Sequence, residues 1–187
     1  MERFIAFDVE TPNYYNDRMS QIGIAVVEGG RIVERYSSLV DPEEHFDRFN
    51  ILLTGITPEA VRGAPTFDRL WEEIRPIMTG GVLVAHNAAF DLGVLTKCLR
   101  AYCIDPPEPP EYLCTVQLGR RACPRLQDHK LDTLCRHFDI PLDHHRADSD
   151  ASACAELLIE YGRMGLVPEE YKRRYDLSRG RTIRTIQ

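Results

Sequence analysis

Asp8 and Glu10 stand one residue apart at the end of the apolar run Phe4-Ile5-Ala6-Phe7. An apolar run that closes on Asp-x-Glu reads as a buried strand whose far end carries charge. Strand side chains alternate faces, so both carboxylates project to one side, roughly 6.5–7 Å apart along the backbone. Like charges held that close repel unless a cation lies between them, and a divalent metal is the usual one. Alone, the pair also reads as a strand running out into a solvated acidic turn. The acids elsewhere in the chain decide between the two.

Asp91 follows His86 by five residues, and Asp150 follows His145 by five. Each falls in the first turn of an expected helix, where the helix dipole favours an acid whatever its chemistry. Together, however, Asp8, Glu10, Asp91 and Asp150 all sit where a strand ends or a helix begins. Such positions converge on one edge of an open α/β sheet. Three or four carboxylates with no basic cluster in the same motifs make an oxygen-only donor set suited to two Mg²⁺ or Mn²⁺ ions. Two such ions, about 3.5–4 Å apart, clamp the attacking and leaving oxygens of a phosphoryl displacement.

The elements that must position these acids are legible from periodicity. After the first strand comes a polar turn over residues 12–17. Gln21 to Val27 then reads as a second strand, Gly29-Gly30 as a hairpin turn, and Arg31 to Val40 as a third strand ended by Asp41-Pro42. Residues 43–65 read as irregular, with Thr57 capping a short helix that has Pro58 at its first position. From Thr66 the spacing of Phe67, Leu70, Trp71, Ile74 and Ile77 is helical, and Gly80-Gly81 ends that helix. Val82 to Ala85 is a short buried strand, followed by a helix from about Ala88 to Tyr102.

Asp105 to Pro110 is a proline-rich surface loop, and Tyr112 to Thr115 a last edge strand. Lys130 to Phe138 and about Ser149 to Arg163 read as helices. The sum is an α/β fold: a mixed five-stranded sheet, antiparallel meander plus parallel strands, with helices on both faces. Pro168 to Tyr175 places proline and acids first and bases last, as a helix should, with Arg179, Arg181 and Arg184 following. The expected organisation is a main domain over residues 1–165 and a short basic C-terminal helix or tail over 166–187, packed on it or extending from it.

At 187 residues the chain fits one domain with a substantial core. With 43% hydrophobic and 28% charged residues it has the composition of an ordinary globular protein. No apolar run approaches the roughly 18–20 residues of a membrane span. Met1-Glu2-Arg3-Phe4 leads directly into a strand pattern without the apolar stretch of a signal peptide. The six cysteines include no Cys-x-x-Cys pair and read as reduced, partly buried thiols. The expectation is an intracellular, cytoplasmic protein. A net charge of −6 argues against long tracking along a nucleic-acid backbone, but not against a grip on a few nucleotides at a chain end.

Phe7-Asp8-Val9-Glu10-Thr11, Ala85-His86-Asn87-Ala88-Ala89-Phe90-Asp91 and His145-Arg146-Ala147-Asp148-Ser149-Asp150-Ala151 resemble the three motifs of the DEDD exonucleases, in their histidine-bearing, DnaQ-like branch. That branch includes the proofreading subunit of bacterial replicative polymerases. The resemblance covers roughly residues 3–163 in order and spacing; Thr54-Gly55-Ile56-Thr57 and His129-Lys130-Leu131 also resemble segments common in the family. It implies a ribonuclease H-like fold and two-metal hydrolysis from the 3′ end of a nucleic acid, releasing nucleoside 5′-monophosphates. It implies Asp8 as the ligand shared by both metals, Glu10 and Asp150 completing the nucleophile-side ion, Asp91 completing the other, and His145 as general base.

A histidine suits that role because its ordinary pKa lies near neutrality, and a positioned base contributes about 10²–10⁴-fold in rate. His144 adjoins His145 and Asp148 precedes Asp150; the family's five-residue interval selects His145 and Asp150, leaving Asp148 as helix cap and His144 as an exposed loop residue. For the 3′-terminal nucleotide the candidates are Thr11 and Phe90, with Thr54 and Asn87 behind them. Pro12, where the family often has glycine, removes a backbone donor and stiffens that turn.

The leading expectation is a 3′–5′ exonuclease acting on DNA, for repair, processing or proofreading, with a DNA polymerase as a candidate partner. Within the same chemistry the alternative is an exoribonuclease trimming RNA 3′ ends, because discrimination at the 2′-OH depends on pocket shape. A different class is a non-catalytic nucleic-acid- or polymerase-binding module on the same fold; all four acids and the histidine are present, which disfavours it. Free-standing members of the family are commonly homodimers, and no stretch of the sequence selects an interface.

Overall fold

The computed structural model of the protein describes residues 2–183. Three antiparallel strands come first: β1 (Phe4–Glu10), β2 (Gln21–Glu28) and β3 (Arg31–Leu39). The turn between β2 and β3 is Gly29-Gly30, with φ of 58° and 72°, a left-handed pair that glycine adopts without a Cβ penalty. Helices α1 (Arg48–Thr54) and α2 (Phe67–Met78) follow. Then β4 (Val82–Ala85) pairs parallel to β1, α3 (Ala89–Ala101) crosses over, and β5 (Glu111–Cys114) pairs parallel to β4. Helices α4 (Thr115–Ala122), α5 (Leu131–His137) and α6 (Ala147–Arg163) come next, and the chain closes on the hairpin β6 (Arg173–Asp176) and β7 (Arg181–Ile183).

The mixed α/β architecture is as expected, with a longer sheet: among the described residues, seven strands in the order β3-β2-β1-β4-β5-β6-β7. The five expected strands form the meander and its parallel extension, but Tyr112 to Cys114 is not at the edge. The tail supplies two more strands. Pro168–Tyr171 makes a single 3₁₀ turn and Arg173–Asp176 is a strand, where the sequence suggested one helix. Tyr175 and Leu177 are 4% and 3% exposed within the core, and burying them outweighs the weak preference of a few residues for a helix. Arg184 lies outside the described residues.

Three further expectations change. Residues 43–65 contain α1, and Thr57 serves only a turn, its Oγ1 accepting from the Ala60 N–H at 3.2 Å. Residues 115–122 form α4, whose first residue, Thr115, reads from sequence as the end of a strand and whose remainder reads as neither helix nor strand. Asp148 is not the cap of α6 either: the helix starts at Ala147, with Arg146 before it.

The alternation of β1 builds both layers. Ile5, Phe7 and Val9 face a core closed by Phe67, Leu70, Trp71 and Ile74 of α2 and by Leu92, Leu95 and Leu99 of α3. Ala6 faces the opposite core, closed by Leu131 and Leu134 of α5 and by Leu157, Leu158 and Tyr161 of α6. Asp8 and Glu10 continue the parity of Ala6, so they point to the α6 side. α6 lies close across β1 and β2 because the contact is made of small residues. Gly23 of β2 sits directly beneath its first turn, where an added Cβ would come within 2.0 Å of the Ala147 carbonyl oxygen. Four of the six cysteines are buried and all are free. Among the described residues no helix is long and apolar enough to cross a membrane.

Candidate active site

Asp8 pairs across the sheet with Gly23, and Glu10 with Gln21. The absence of a side chain at Gly23 lets the first turn of α6 settle over this end of β1, and Gln21 Oε1 accepts from the Ala147 N–H at 3.2 Å. That seating brings Asp150 down to the strand. One carboxylate oxygen each from Asp8, Glu10 and Asp150 lies within 4.8 Å of the others. Asp91, in the first turn of α3, is 1% exposed, and its Oδ1 accepts from the Val9 N–H at 3.2 Å, which fixes α3 to the acidic end of β1.

Electrostatics agree with the geometry. Burial raises the Asp8 carboxyl well above its usual range, and the charges of Asp91, Glu10 and Asp150 raise it further. Glu10 is pushed up to about 7 by burial and then by Asp150. Burial also raises Asp91, opposed by backbone N–H bonds from Val9 and from Asp91 itself. Asp150 is raised by burial, with His144 pulling the other way. Each acid is thus penalised for carrying charge where it stands, the condition a bound cation relieves. Asp150 Oδ1 is buried without a hydrogen-bond partner. The donor chemistry therefore fits hard divalent cations such as Mg²⁺ or Mn²⁺.

Asp150 Oδ2 accepts from His144 Nδ1 at 3.0 Å and from the His145 backbone N–H at 3.1 Å. His145 takes a left-handed φ of 67° to do so. Burial, and then the neighbouring His144, lower the proton affinity of the half-buried His145 ring. The two imidazoles stack with centroids 3.9 Å apart. Although exposed as expected, His144 therefore touches the acidic cluster directly.

Asp8, Glu10, Asp150, His145 and His144 line one cleft of about 410 Å³, together with Thr11 and Phe90. Thr54 and Asn87 are not brought to it. Thr54 Oγ1 donates to the Asn50 carbonyl and accepts from the Ile56 N–H, closing the end of α1. Asn87 occupies the left-handed turn (φ 64°) between β4 and α3 and faces solvent. The cleft also has walls that the sequence reading missed: Tyr14, Phe49, Leu53 and His86. Phe49 is 71% exposed and Tyr14 67%. The signal for Phe49 and Leu53 was an apolar stretch without core periodicity, Phe49 to Leu53, whose one buried member is Asn50. His86 is tied through Nδ1 to Thr115 Oγ1 at 2.9 Å, and burial lowers it to about 4, so it is neutral near pH 7. Among the described residues no lysine or arginine lines the cleft.

An RNase T family model, described as Exonuclease, matches residues 5–158. Among curated proteins, a DNA polymerase III PolC-type from Halalkalibacterium halodurans is 38% identical over 159 residues, covering 83% of this chain and 11% of that protein. The 3′-5′ exonuclease DinG of Bacillus subtilis is 34% identical over 163 residues, covering 85% of the chain and 17% of that protein. The chain thus spans between a tenth and a fifth of the length of these relatives. Among solved structures, exonuclease X in complex with 5′ overhanging duplex DNA superposes with a TM-score of 0.70 at 28% identity, covering 91% of this chain and 97% of that one. A 3′-exonuclease that recognises a histone mRNA stem-loop shares the fold, at 15% identity and a TM-score of 0.77, over 97% of this chain and 89% of that one.

Proposed function

The chain belongs to the exonuclease family that matches its residues 5–158, and on that premise we propose that it hydrolyses DNA from the 3′ end in a divalent-metal-dependent reaction, releasing nucleoside 5′-monophosphates. The observation that carries this reading is the convergence of Asp8 and Glu10 from β1 with Asp150 from α6, in a cleft that His145 also lines. Asp8, Glu10, Asp91 and Asp150 are the residues that would hold two Mg²⁺ or Mn²⁺ ions, with Asp8 shared. Bound there, such ions would supply Lewis-acid stabilisation of the negative charge that builds up on the scissile phosphate.

The remaining work falls to the side chains. His145 is lowered in proton affinity by burial and by His144, so its ring is neutral near pH 7 and can take a proton from the attacking water. Asp91, buried and tied to the Val9 N–H, holds the floor of the site rigid against β1. That Thr11 and Phe90 line the cleft supports a role for them in bracketing the terminal nucleotide, and Tyr14, Phe49 and Leu53 beside them offer apolar faces on which a base can stack. Among the described residues the cleft lining includes neither lysine nor arginine, which supports a grip on a chain end rather than along a backbone.

DNA as substrate is supported by the relatives, named as DNA polymerases, and by the 28% identical exonuclease X bound to DNA. Because the match occupies 11% of such a polymerase, a DNA polymerase is the first protein partner to test. The test offers single-stranded DNA, duplex DNA with a mismatched 3′ terminus, and RNA side by side, each carrying a 5′ label. The expected outcome is shortening of the DNA substrates with Mg²⁺ or Mn²⁺, none in EDTA, and a loss of at least about 10³-fold in Asp8→Ala. Faster trimming of RNA than of either DNA would overturn the substrate assignment, and an active Asp8→Ala the site itself.

A further inference from the structure

Two donors from one loop hold the same oxygen of Asp150. The His144 Nδ1 lies 3.0 Å from Oδ2 and the His145 backbone N–H 3.1 Å from it, while Oδ1 is buried without a partner. A carboxylate oxygen only accepts, so Nδ1 of His144 carries the proton. The Asp150 side chain is 5% exposed and that of His144 40%, so the ring reaches inward from the surface to a buried acid.

A single donor would leave the carboxylate free to pivot about one bond. A second donor on the same oxygen removes that freedom and leaves the other oxygen as the one without a protein hydrogen-bond partner. The loop carrying both donors is itself braced. The Asp143 N–H bonds Ser149 Oγ at 2.8 Å, and the Arg146 guanidinium spans Asp143 and Asp148 at 3.0 and 3.1 Å. The His144 ring lies flat against His145, the planes 22° apart.

We propose that His144 is a positioning residue for metal binding: its Nδ1–H locks Asp150 through Oδ2 and so reserves Oδ1 for a cation shared with Asp8 and Glu10. The inference rests on the metal-dependent reading above. Hydrogen-bond partners behind a ligand typically change metal affinity or activity 10–100-fold when removed.

His144 also stacks on His145, so the test separates the two contacts. In His144→Asn the side-chain Nδ2 stands where the ring Nδ1 stood, keeping the donor and losing the stack. In His144→Phe the stack stays and the donor goes. Mn²⁺ alone is titrated into each nucleic-acid-free protein by calorimetry, with a thermal melt in EDTA as the folding control. The dissociation constant should rise about 10–100-fold in His144→Phe and stay within about threefold of wild type in His144→Asn, with equal EDTA melts. In exonuclease assays the Mn²⁺ concentration for half-maximal rate should rise by the same factor in His144→Phe, whereas His145→Ala should lower the rate at every Mn²⁺ concentration. Wild-type Mn²⁺ affinity in His144→Phe, or equal weakening in both variants, would overturn the proposal while leaving the metal reading intact. A wild-type protein that binds no Mn²⁺ would overturn both.

Discussion

Burial and the Asp150 charge lift the Glu10 carboxyl from an ordinary 4.5 to about 7, and this raised affinity has a consequence for stability. The cation-free folded protein keeps a proton that the unfolded chain releases near 4.5, so folding is favoured less as pH climbs from 4.5 to 7. Below that window both states hold the proton and Glu10 imposes no penalty; above it the penalty is complete, on the order of 3 kcal/mol. Asp8, Asp91 and Asp150 are raised as well and act in the same direction. Melting temperatures in EDTA should therefore fall between pH 5 and pH 8, and Mg²⁺ or Mn²⁺ should raise them more at pH 8 than at pH 5. A flat EDTA profile would mean that the four acids do not share one buried site. These acids were the legible part of the site because each is fixed by its own strand end or helix start. Tyr14 and Phe49 were not, since what makes them part of the cleft is exposure beside β1, a tertiary fact with no local periodicity.

At the scale of elements, activity depends on how closely α6 sits on β2. A Cβ on Gly23 would meet the Ala147 carbonyl oxygen at 2.0 Å and the Asp148 nitrogen at 2.5 Å, both of them backbone atoms that no rotamer change can clear. In Gly23→Ala the N-terminus of α6 must lift, and His144, His145 and Asp150 lift with it. Such overpacking costs about 1–3 kcal/mol, and denaturant melts should show it, together with a loss of activity greater than about tenfold. A variant with wild-type activity and stability would contradict the seating of α6 on the strand. The helix itself was readable from its small and apolar residues; its close contact with Gly23 was not, because that pairing joins positions more than 120 residues apart. Distance along the chain also hid β6. Its partner is Glu111-Tyr112, and Pro168-Glu169-Glu170 carries the local signature of a helix start that the sheet overrides. α1 escaped for the opposite reason: its apolar residues face outward, so no stripe points to a core.

For the whole molecule, the question is whether residues 166–183 of the tail are an appendage or part of the fold. The hairpin β6–β7 adds to the sheet through β5, and Tyr175 and Leu177 enter the same core as Phe7 and Trp71. Tyr112 of β5 meets the Tyr175 ring edge-on at 5.9 Å and shares a hydrogen bond with Thr182 Oγ1 at 2.8 Å. Lys172 ties the segment to Glu2 and Glu111 at 2.7 and 2.8 Å. We therefore assign the tail to the domain that bears the site. Fully burying a large apolar side chain stabilises by about 1.5–3 kcal/mol, so ending the chain at Gly165 should remove on the order of 3–6 kcal/mol through Tyr175 and Leu177 alone. That is a large share of the roughly 5–15 kcal/mol by which a domain of this size is stable. The carboxylates lie on the far side of β4 from the hairpin, so the folded fraction of the shortened chain should still bind Mn²⁺ with near wild-type affinity. Urea unfolding of the two chains, read alongside Mn²⁺ titration below the transition, checks both halves. An unchanged urea midpoint would make the tail an appendage. A lowered midpoint with intact Mn²⁺ affinity would place the tail in the core and the chemistry across β4 from it, at β1.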